Sequence, residues 1–140
     1  MRLVDDRTGL EAVDPAACLD LLRAQGVGRV AVVLGNRPFI FPVNYVVDGD
    51  TIVFRTSDGT KLEGLRSGFQ AAFEIDGVDP LYHGGWSVLV SGRGREVVDG
   101  HEIEALRKLA LLTWAPGDKG HWIRIRPDTI TGRRIATART

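Results

Sequence analysis

The segment Phe54–Leu65, FRTSDGTKLEGL, has side chains of the kind that bind phosphate. Arg55 and Lys61 are cations, Thr56 and Thr60 carry hydroxyls, and an Asp-Gly turn separates an apolar strand from a short helix. A helix N-terminus offers free N–H groups and partial positive charge, to which these side chains would add charge-assisted hydrogen bonds. The alternative is a solvated turn with a hydroxyl cap and two surface cations. The GxxxxGK[ST] pattern is absent, which argues against a P-loop ATPase.

Arg55 and Thr56 are neighbours on the predicted strand, so their side chains point to opposite faces. Both could contact one phosphate only if the strand ends at this point.

Two other segments could contact a flat polar ligand. In FPVNYVV, Asn44 lies in an otherwise apolar strand, so a buried amide there needs partners, either a ligand or the neighbouring backbone. Pro42 in the same strand cannot donate to a ladder, which indicates an edge, a bulge or a place where a ligand replaces pairing. In GGWSVLVSG, Trp86 could cover a ring or fill the core, and Ser87 points to the opposite face.

The late segment HWIRIRP places Trp122, Arg124 and Arg126 on one face of a strand. The two arginines face solvent, or they reach a phosphate or carboxylate across an interface. His83 and His121 have no second His or carboxylate at ligand spacing, so no metal site is predicted. No Ser-His-Asp order or apolar carboxylate pair is readable, so the catalytic residues stay unknown.

Length and composition suit one domain over residues 1–140, with residues 1–13 as an N-terminal arm. The chain has 140 residues, 44% hydrophobic and 26% charged, with zero formal net charge. Balanced charge argues against binding to nucleic acid or an anionic membrane. One cysteine, Cys18, excludes an intrachain disulfide, and no segment reaches the length of a signal peptide core or membrane span. These features predict a cytoplasmic protein.

Three helices are predicted to hold these segments. The first is capped by Asp14, continues through Pro15 to Gly26, and buries Cys18. A short helix in TKLEGLRSG is predicted to end at Gly68. The third runs from its cap at Asp99 to Trp114, with an apolar stripe of Ile103, Leu106, Leu109 and Ala110.

About six strands, many in hairpin order, make up the rest. PFIFPVNYVVDGDTIVFRTS reads as a hairpin turning at Asp48–Gly49, and its first strand, apolar on both sides, is predicted to be buried on both faces. Phe69, Ala71, Phe73 and Ile75 alternate onto one face of the next strand. Glycines 92 and 94 predict a bend or bulge in GWSVLVSGRGREV. This pattern predicts a mainly β (α+β) fold with a closed or half-closed barrel.

The chain resembles the pyridoxamine 5′-phosphate oxidase-like family, the flavin-binding split β-barrels. Within it, the chain is most similar to the small actinobacterial and nitroimidazole-resistance-type branch. The resemblance covers about residues 14–135 and rests on five segments in order: GRVAVV, RPFIFPVNYVVDGDTIVFRTSDGTKL, FEIDGVDP, GWSVLVSGRGREV and HWIRIRPDTITGRRI. It implies a six-stranded split barrel, a homodimer, and FMN held at the dimer interface.

The resemblance also implies site residues and an activity. The expected activity is a flavin-dependent oxidoreductase that transfers hydride or electrons between FMN and a small organic substrate. The expected contacts are Arg55, Thr56, Thr60 and Lys61 to the phosphate, Pro42, Val43 and Asn44 beside the isoalloxazine, Trp86 and Ser87 lining the flavin, often from the partner subunit, and Trp122 and Arg124 closing the site.

The sequence departs from the true oxidases in three ways. The turn reads TSDGTK rather than Ser-Arg-Lys, the late Arg-x-His-type substrate segment is not recognisable, and the chain is shorter. Oxidation of pyridoxamine phosphate itself is therefore not expected. The alternatives are an F420-dependent reductase on the same fold and a non-catalytic module that binds flavin or haem.

Overall fold

A computed structural model describes residues 3–5, 10–65, 67–81, 83–114 and 120–135; for residues 3–5, 61 and 67–69 it describes the backbone alone. These residues form eight strands and three helices. In chain order they are β1 (Leu3–Asp5), β2 (Leu10–Val13), α1 (Pro15–Ala24), β3 (Val27–Leu34), β4 (Arg37–Asp48), β5 (Thr51–Thr56), α2 (Thr60–Leu65), β6 (Ser67–Asp79), β7 (Gly84–Val97), α3 (Gly100–Arg107) and β8 (His121–Ile135).

Six antiparallel strands close into a barrel. The order is β8-β5-β4-β3-β6-β7, and β7 pairs with β8 to complete the ring. This confirms the predicted split β-barrel of α+β class. The N-terminal arm adds β1 and β2, and β2 pairs with the last part of β8.

The barrel encloses one apolar core. Fully buried side chains from β3, β5, β6 and β8 meet there, and Tyr45 packs edge-on against Phe73 with ring centroids 4.8 Å apart. A Cβ at Gly28 would lie 2.2 Å from the Phe73 ring, so only glycine fits at this position of β3. Ala71, Phe73 and Ile75 of β6 face inwards as predicted, whereas the Phe69 side chain lies outside the described residues.

Gly92 and Gly94 of β7 each lie close to atoms of a neighbouring element. The register between β7 and β8 shifts between Ser91 and Gly92, which is the predicted bulge. A Cβ at Gly92 would lie 2.1 Å from the carbonyl oxygen of Arg126, and one at Gly94 would lie 2.5 Å from Leu65 of α2. The strand can bend over α2 because these positions carry no side chain.

The helices begin where predicted, but α2 and α3 end earlier. Asp14 caps α1 by accepting a hydrogen bond from Ala17 N–H at 2.8 Å, and Cys18 is fully buried as predicted. The last residue of α1 is Ala24 and its C-cap is Gln25, directly before Gly26, the glycine predicted to end the helix. The prediction that α2 ends at Gly68 is wrong, because β6 already begins at Ser67 and pairs with β7.

The third helix is also shorter than predicted. Asp99 caps α3 by accepting from Glu102 N–H at 2.9 Å, but α3 ends at Arg107 rather than Trp114. Lys108 and Leu109 donate to carbonyls three residues back, a tight turn that leads out of the helix. Ala110 is consequently exposed instead of joining the apolar stripe.

A second apolar cluster lies between α3 and the outer face of the barrel. Its buried members are Val53, Val97, Leu106 and Trp122, with Ile103 and Leu109 packed against them. α3 therefore covers the outer face of β5, β7 and β8.

The prediction that β4 is buried on both faces is wrong. Pro38, Ile40 and Pro42 point outwards and are exposed, and Ile40 retains 70% of its accessible surface. No second layer of the described chain covers this part of β4, whose continuation at Val46 is covered by α3 and the residues after it.

Pro42 lies where β4 continues past its pairing with β5. Residues 45–48 pair with β5, whereas Pro42 pairs with Arg29 of β3 on the other side. Tyr45 N–H donates to Gly26 O on the β3 side, so by alternation the Pro42 nitrogen faces away from β3, where the proline removes no ladder bond.

Among the helices of the described residues, none is long and apolar enough to cross a membrane.

Candidate functional site

The predicted phosphate turn joins the end of β5 to the start of α2. Thr56 is the last residue of β5 and is nearly buried, and its Oγ1 donates to Ser57 O at 3.2 Å. Gly59 has φ +144°, a conformation that L side chains rarely adopt. Thr60 is the first residue of α2 and is half-buried. The turn therefore has a specified shape, with a hydroxyl at each end.

Lys61 lies in the first turn of α2, but its side chain lies outside the described residues. The helix has six residues. Because so few peptide dipoles are aligned, phosphate binding at this turn depends on the side chains rather than on the helix dipole.

Arg55 lies on the other face of β5. In the register with β8, Arg55 pairs with Trp122 and Thr56 pairs with His121. The Arg55 guanidinium carbon lies 4.9 Å from the centroid of the Trp122 ring, a cation–π contact on the outer face. The strand alternation therefore separates Arg55 from Thr56.

His121 lies across from Thr56, between two carboxylates. Its Nδ1 is 2.7 Å from Oε2 of Glu96 on β7, and its Nε2 is 2.9 Å from Oδ1 of Asp58 in the phosphate turn. Both ring nitrogens can donate only in the imidazolium form. The hydrogen bond to Glu96 is the largest influence on the pKa of His121 and raises it above its ordinary value, with help from the charge of Asp58.

Arg124 is engaged within its own chain. Its Nη1 donates to Oδ2 of Asp48 at 3.0 Å and to Oγ1 of Thr51 at 2.6 Å, and its Nε donates to Oε2 of Glu102 at 2.9 Å. The hydrogen bond from Arg95, followed by that from Arg124, holds the pKa of Glu102 below its ordinary value. This network ties α3 to the β4–β5 hairpin, while neighbouring Trp122 is buried in the second apolar cluster.

The Pro42–Asn44 segment presents different groups to its two faces. Val43 points into the barrel core, so only its backbone could contact a ligand outside the barrel. Pro42 is exposed on the outer face, and Oδ1 of Asn44 accepts from Trp114 N–H at 2.8 Å. The Asn44 amide therefore anchors the chain that follows α3.

Trp86 and Ser87 line a cavity of about 290 Å³ where β7 begins and β8 ends. Gly77 lies opposite Trp86, and a Cβ there would lie 2.5 Å from the indole nitrogen. The cavity is at the lower limit of the volumes typical of ligand pockets. It is open to the outside and is also lined by Leu10 of the arm.

The carboxylates of Glu74 and Asp76 belong to residues that line this cavity. Nη1 of Arg29 lies 3.1 Å from Glu74 Oε1 and 3.3 Å from Asp76 Oδ2. Burial, and then the hydrogen bond with Asp76, raises the pKa of Glu74 above its ordinary value, although Arg29 opposes the shift.

The predicted flavin contacts fall into two groups at opposite ends of β8. Thr56 pairs with His121, the first residue of β8, whereas Trp86 pairs with Arg134, close to the last. Within one chain the fold therefore does not bring the phosphate turn to the Trp86–Ser87 cavity.

Sequence reasoning missed the carboxylates around His121. Asp58 was recognised only as a turn residue, and Glu96 is 25 positions from His121. They meet only through the β7–β8 register and the position of the turn. A pairing prediction for these two strands would have revealed Glu96.

The sequence model of the family described as pyridoxamine 5′-phosphate oxidase matches residues 14–134. An uncharacterized protein of Mycobacterium tuberculosis is 33% identical over 134 residues, covering 91% of this chain and 88% of the relative.

Two solved structures have the same fold. The FAD binding protein from Mycobacterium smegmatis is 37% identical with a TM-score of 0.74, over 88% of this chain and 96% of that one. A putative pyridoxamine 5′-phosphate oxidase from Corynebacterium glutamicum is 33% identical with a TM-score of 0.79, over 90% of this chain and 98% of that one. The chain therefore belongs to the pyridoxamine 5′-phosphate oxidase-like family of flavin-binding split β-barrels.

Proposed function

We propose that the chain is a homodimeric oxidoreductase that holds a flavin nucleotide at the subunit interface, with its phosphate against the turn from Thr56 to Lys61. The observation that carries this proposal is the glycine-specified turn at the β5–α2 junction, with its two threonines, in a chain 37% identical to a FAD binding protein. Thr56, Thr60 and Lys61 are the residues that would hold the phosphate.

The donor set suits a flavin phosphate. Two hydroxyls and a lysine can neutralise and hydrogen-bond a phosphate, and the backbone around Gly59 has no Cβ to obstruct an approaching oxygen. When bound, the isoalloxazine ring would supply hydride or electron transfer. The protein's contribution is to bind and orient the ring and to exclude water from it.

A homodimer is supported by an apolar surface that no described part of the chain covers. The outer apolar surface, as we call it, consists of Val33, Ile40, Pro42, Leu112 and Trp114, of which the side chains of Ile40, Leu112 and Trp114 are 70–76% exposed. Ile40, Pro42 and Asn44 alternate onto one face of β4, and Asn44 holds the backbone of Trp114. We take a second copy of this chain to cover this surface, because a dimer would also bring together the two groups of flavin contacts that are separated within one chain.

FMN is the flavin that the family resemblance implies, and FAD is the second candidate. FAD is favoured by the printed name of the relative from Mycobacterium smegmatis, which is 37% identical to this chain. Both carry a phosphate next to the ribityl chain, so the same turn would serve either.

Purification of the full chain tests this proposal directly. The account predicts a yellow dimer by light scattering, with absorbance near the flavin maxima and FMN or FAD released on denaturation and identified by mass spectrometry. Oxidation of a reduced nicotinamide or of reduced F420 by the loaded protein separates an oxidoreductase from a storage or sensing module. A colourless monomer that binds neither FMN nor FAD in titrations would contradict the proposal.

A further inference from the structure

His121 is a titratable side chain that contacts the phosphate turn through Asp58, and the proposed function leaves it without a role. It lies directly across from Thr56 on the paired strands β5 and β8, on the same face as that hydroxyl. Arg55, which the sequence assigned to the phosphate, lies on the opposite face over Trp122. By position, His121 is therefore better placed than Arg55 to act together with Thr56.

The two carboxylates around the ring differ in exposure. The side chain of Glu96 is 17% exposed and comes from the rigid β7–β8 ladder, so it fixes the orientation of the ring through Nδ1. The side chain of Asp58 is 87% exposed and comes from the turn, and its Oδ1 accepts a hydrogen bond from Nε2. Glu96 is thus the permanent partner, and Asp58 is the one that can leave at little cost.

From this geometry we infer that His121 is a further phosphate-binding residue and that Asp58 occupies its anion position until the flavin phosphate displaces it. The inference rests on the proposed function, because it names a residue of the same site. The Asp58 carboxylate and a phosphate oxygen are both acceptors for the Nε2–H donor, and they cannot use it at the same time.

The charges around His121 favour phosphate binding only after Asp58 has moved away from the ring. One imidazolium between two carboxylates leaves a net negative cluster, which would repel an incoming phosphate as long as Asp58 stays in place. The charged groups that act on the ring are Glu96 from β7 and Asp58 from the turn, and both favour its protonated form. Departure of Asp58 leaves a neutral Glu96–imidazolium pair that can donate to the phosphate.

Titration of the full chain with FMN, followed by flavin fluorescence, tests the inference with wild type and four variants. His121→Gln is expected to weaken FMN binding about tenfold, the loss typical of one charge-assisted hydrogen bond. Asp58→Asn is expected to tighten it about threefold, because the competing charge is removed. Asp50→Asn in the β4–β5 turn and His101→Gln on α3 are the matched controls and should change nothing.

A pH series separates phosphate binding from a merely structural role. Affinity for FMN should fall as the pH rises through the raised pKa of His121, because the imidazolium loses its Nε2 proton or its charge. Glu96→Gln should move this fall to lower pH, since Glu96 is the main cause of the raised pKa. An unchanged affinity and pH profile in His121→Gln and Asp58→Asn, with wild type still binding FMN, would overturn the inference and leave the proposed function standing.

Inorganic phosphate gives a readout that does not depend on flavin. In proton–carbon NMR spectra of the histidine rings, added phosphate should shift the His121 signals, and shift them at lower concentration in Asp58→Asn. If wild type binds no flavin but shows these shifts, His121 is still a phosphate-binding residue, whereas the proposed flavin function fails. If phosphate leaves His121 unchanged in both proteins, the inference is wrong.

Discussion

Gly59 controls the shape of the phosphate turn through its backbone. Its φ of +144° is open to glycine and strained for L residues, and a Cβ there would meet nothing within 4 Å. Any effect of substitution is therefore conformational rather than steric.

We expect Gly59→Ala to destabilise the fold by about 1–2 kcal/mol and to weaken flavin binding, because the turn must rearrange. Gly100→Ala is the matched control, since an added Cβ there would also meet nothing within 4 Å but the backbone has no positive φ. Thermal unfolding and FMN titration of both variants measure the difference. Equal behaviour of the two variants would show that the turn conformation has no role.

His121 also makes stability depend on pH. Because its folded-state pKa is raised, its contribution is fully present below the unfolded value of about 6.5 and is lost as the pH rises through the folded value. Urea unfolding of wild type and His121→Gln across this range should give a stability difference that shrinks with rising pH. A difference that is constant with pH would mean that the charge on the ring does not matter.

At the scale of elements, α3 is held to the barrel by the Arg124 network as well as by apolar packing. The Arg124 side chain is 12% exposed and bonds to Glu102 of α3, to Asp48 and to Thr51. The family resemblance implies that Arg124 contacts the cofactor, and these hydrogen bonds give it a structural role as well.

We expect Arg124→Met to lower the free energy of unfolding by about 2 kcal/mol, because largely buried hydrogen bonds to charged groups are lost. Arg126→Met, two residues later on the same strand and exposed, should be nearly neutral. Denaturant unfolding measures both free energies. A loss of the same size in both variants would argue against the network.

The elements could be predicted from sequence because they depend on local signals. Asp14 and Asp99 mark helix starts by side-chain hydrogen bonds that span three residues, and the Gly92 bulge follows from glycine in an alternating strand. The end of α3 and the exposure of Ile40 could not be predicted in the same way. They depend on which surfaces meet in space, as when Asn44 binds the backbone of Trp114.

The candidate site was predicted in part for the same reason. The turn from Thr56 to Lys61 is contiguous, so its composition was readable directly. The Asp58–His121–Glu96 cluster joins three elements, and the separation of Trp86 from Thr56 follows from the β8 register. Neither the cluster nor the separation can be predicted from residues that are close together in the sequence.

At the scale of the whole molecule, the proposed homodimer would bring together the two groups of predicted flavin contacts, which lie at opposite ends of β8 within one chain. A mixed dimer tests this arrangement, with Lys61→Ala in one subunit and Trp86→Leu in the other. If each site takes Lys61 from one subunit and Trp86 from its partner, one site is intact and the other carries both changes. Differently tagged, co-purified mixed dimers should therefore bind one flavin per dimer with wild-type affinity, whereas each homodimer binds weakly.

Two weak sites and no tight site in the mixed dimer would show that each flavin is held by one subunit. Circular dichroism of both homodimers is the control that the substitutions leave the barrel folded.

Titration of the flavin-free protein with FMN and FAD, comparing wild type, Lys61→Ala and Lys108→Ala, tests the central claim most directly. Lys108 is an exposed lysine at the end of α3 and serves as the matched control. The account predicts tight flavin binding by wild type and Lys108→Ala, and a loss of about tenfold or more in Lys61→Ala, with the unfolding midpoint unchanged. Equal flavin affinity in all three proteins, or no binding by wild type, would contradict it.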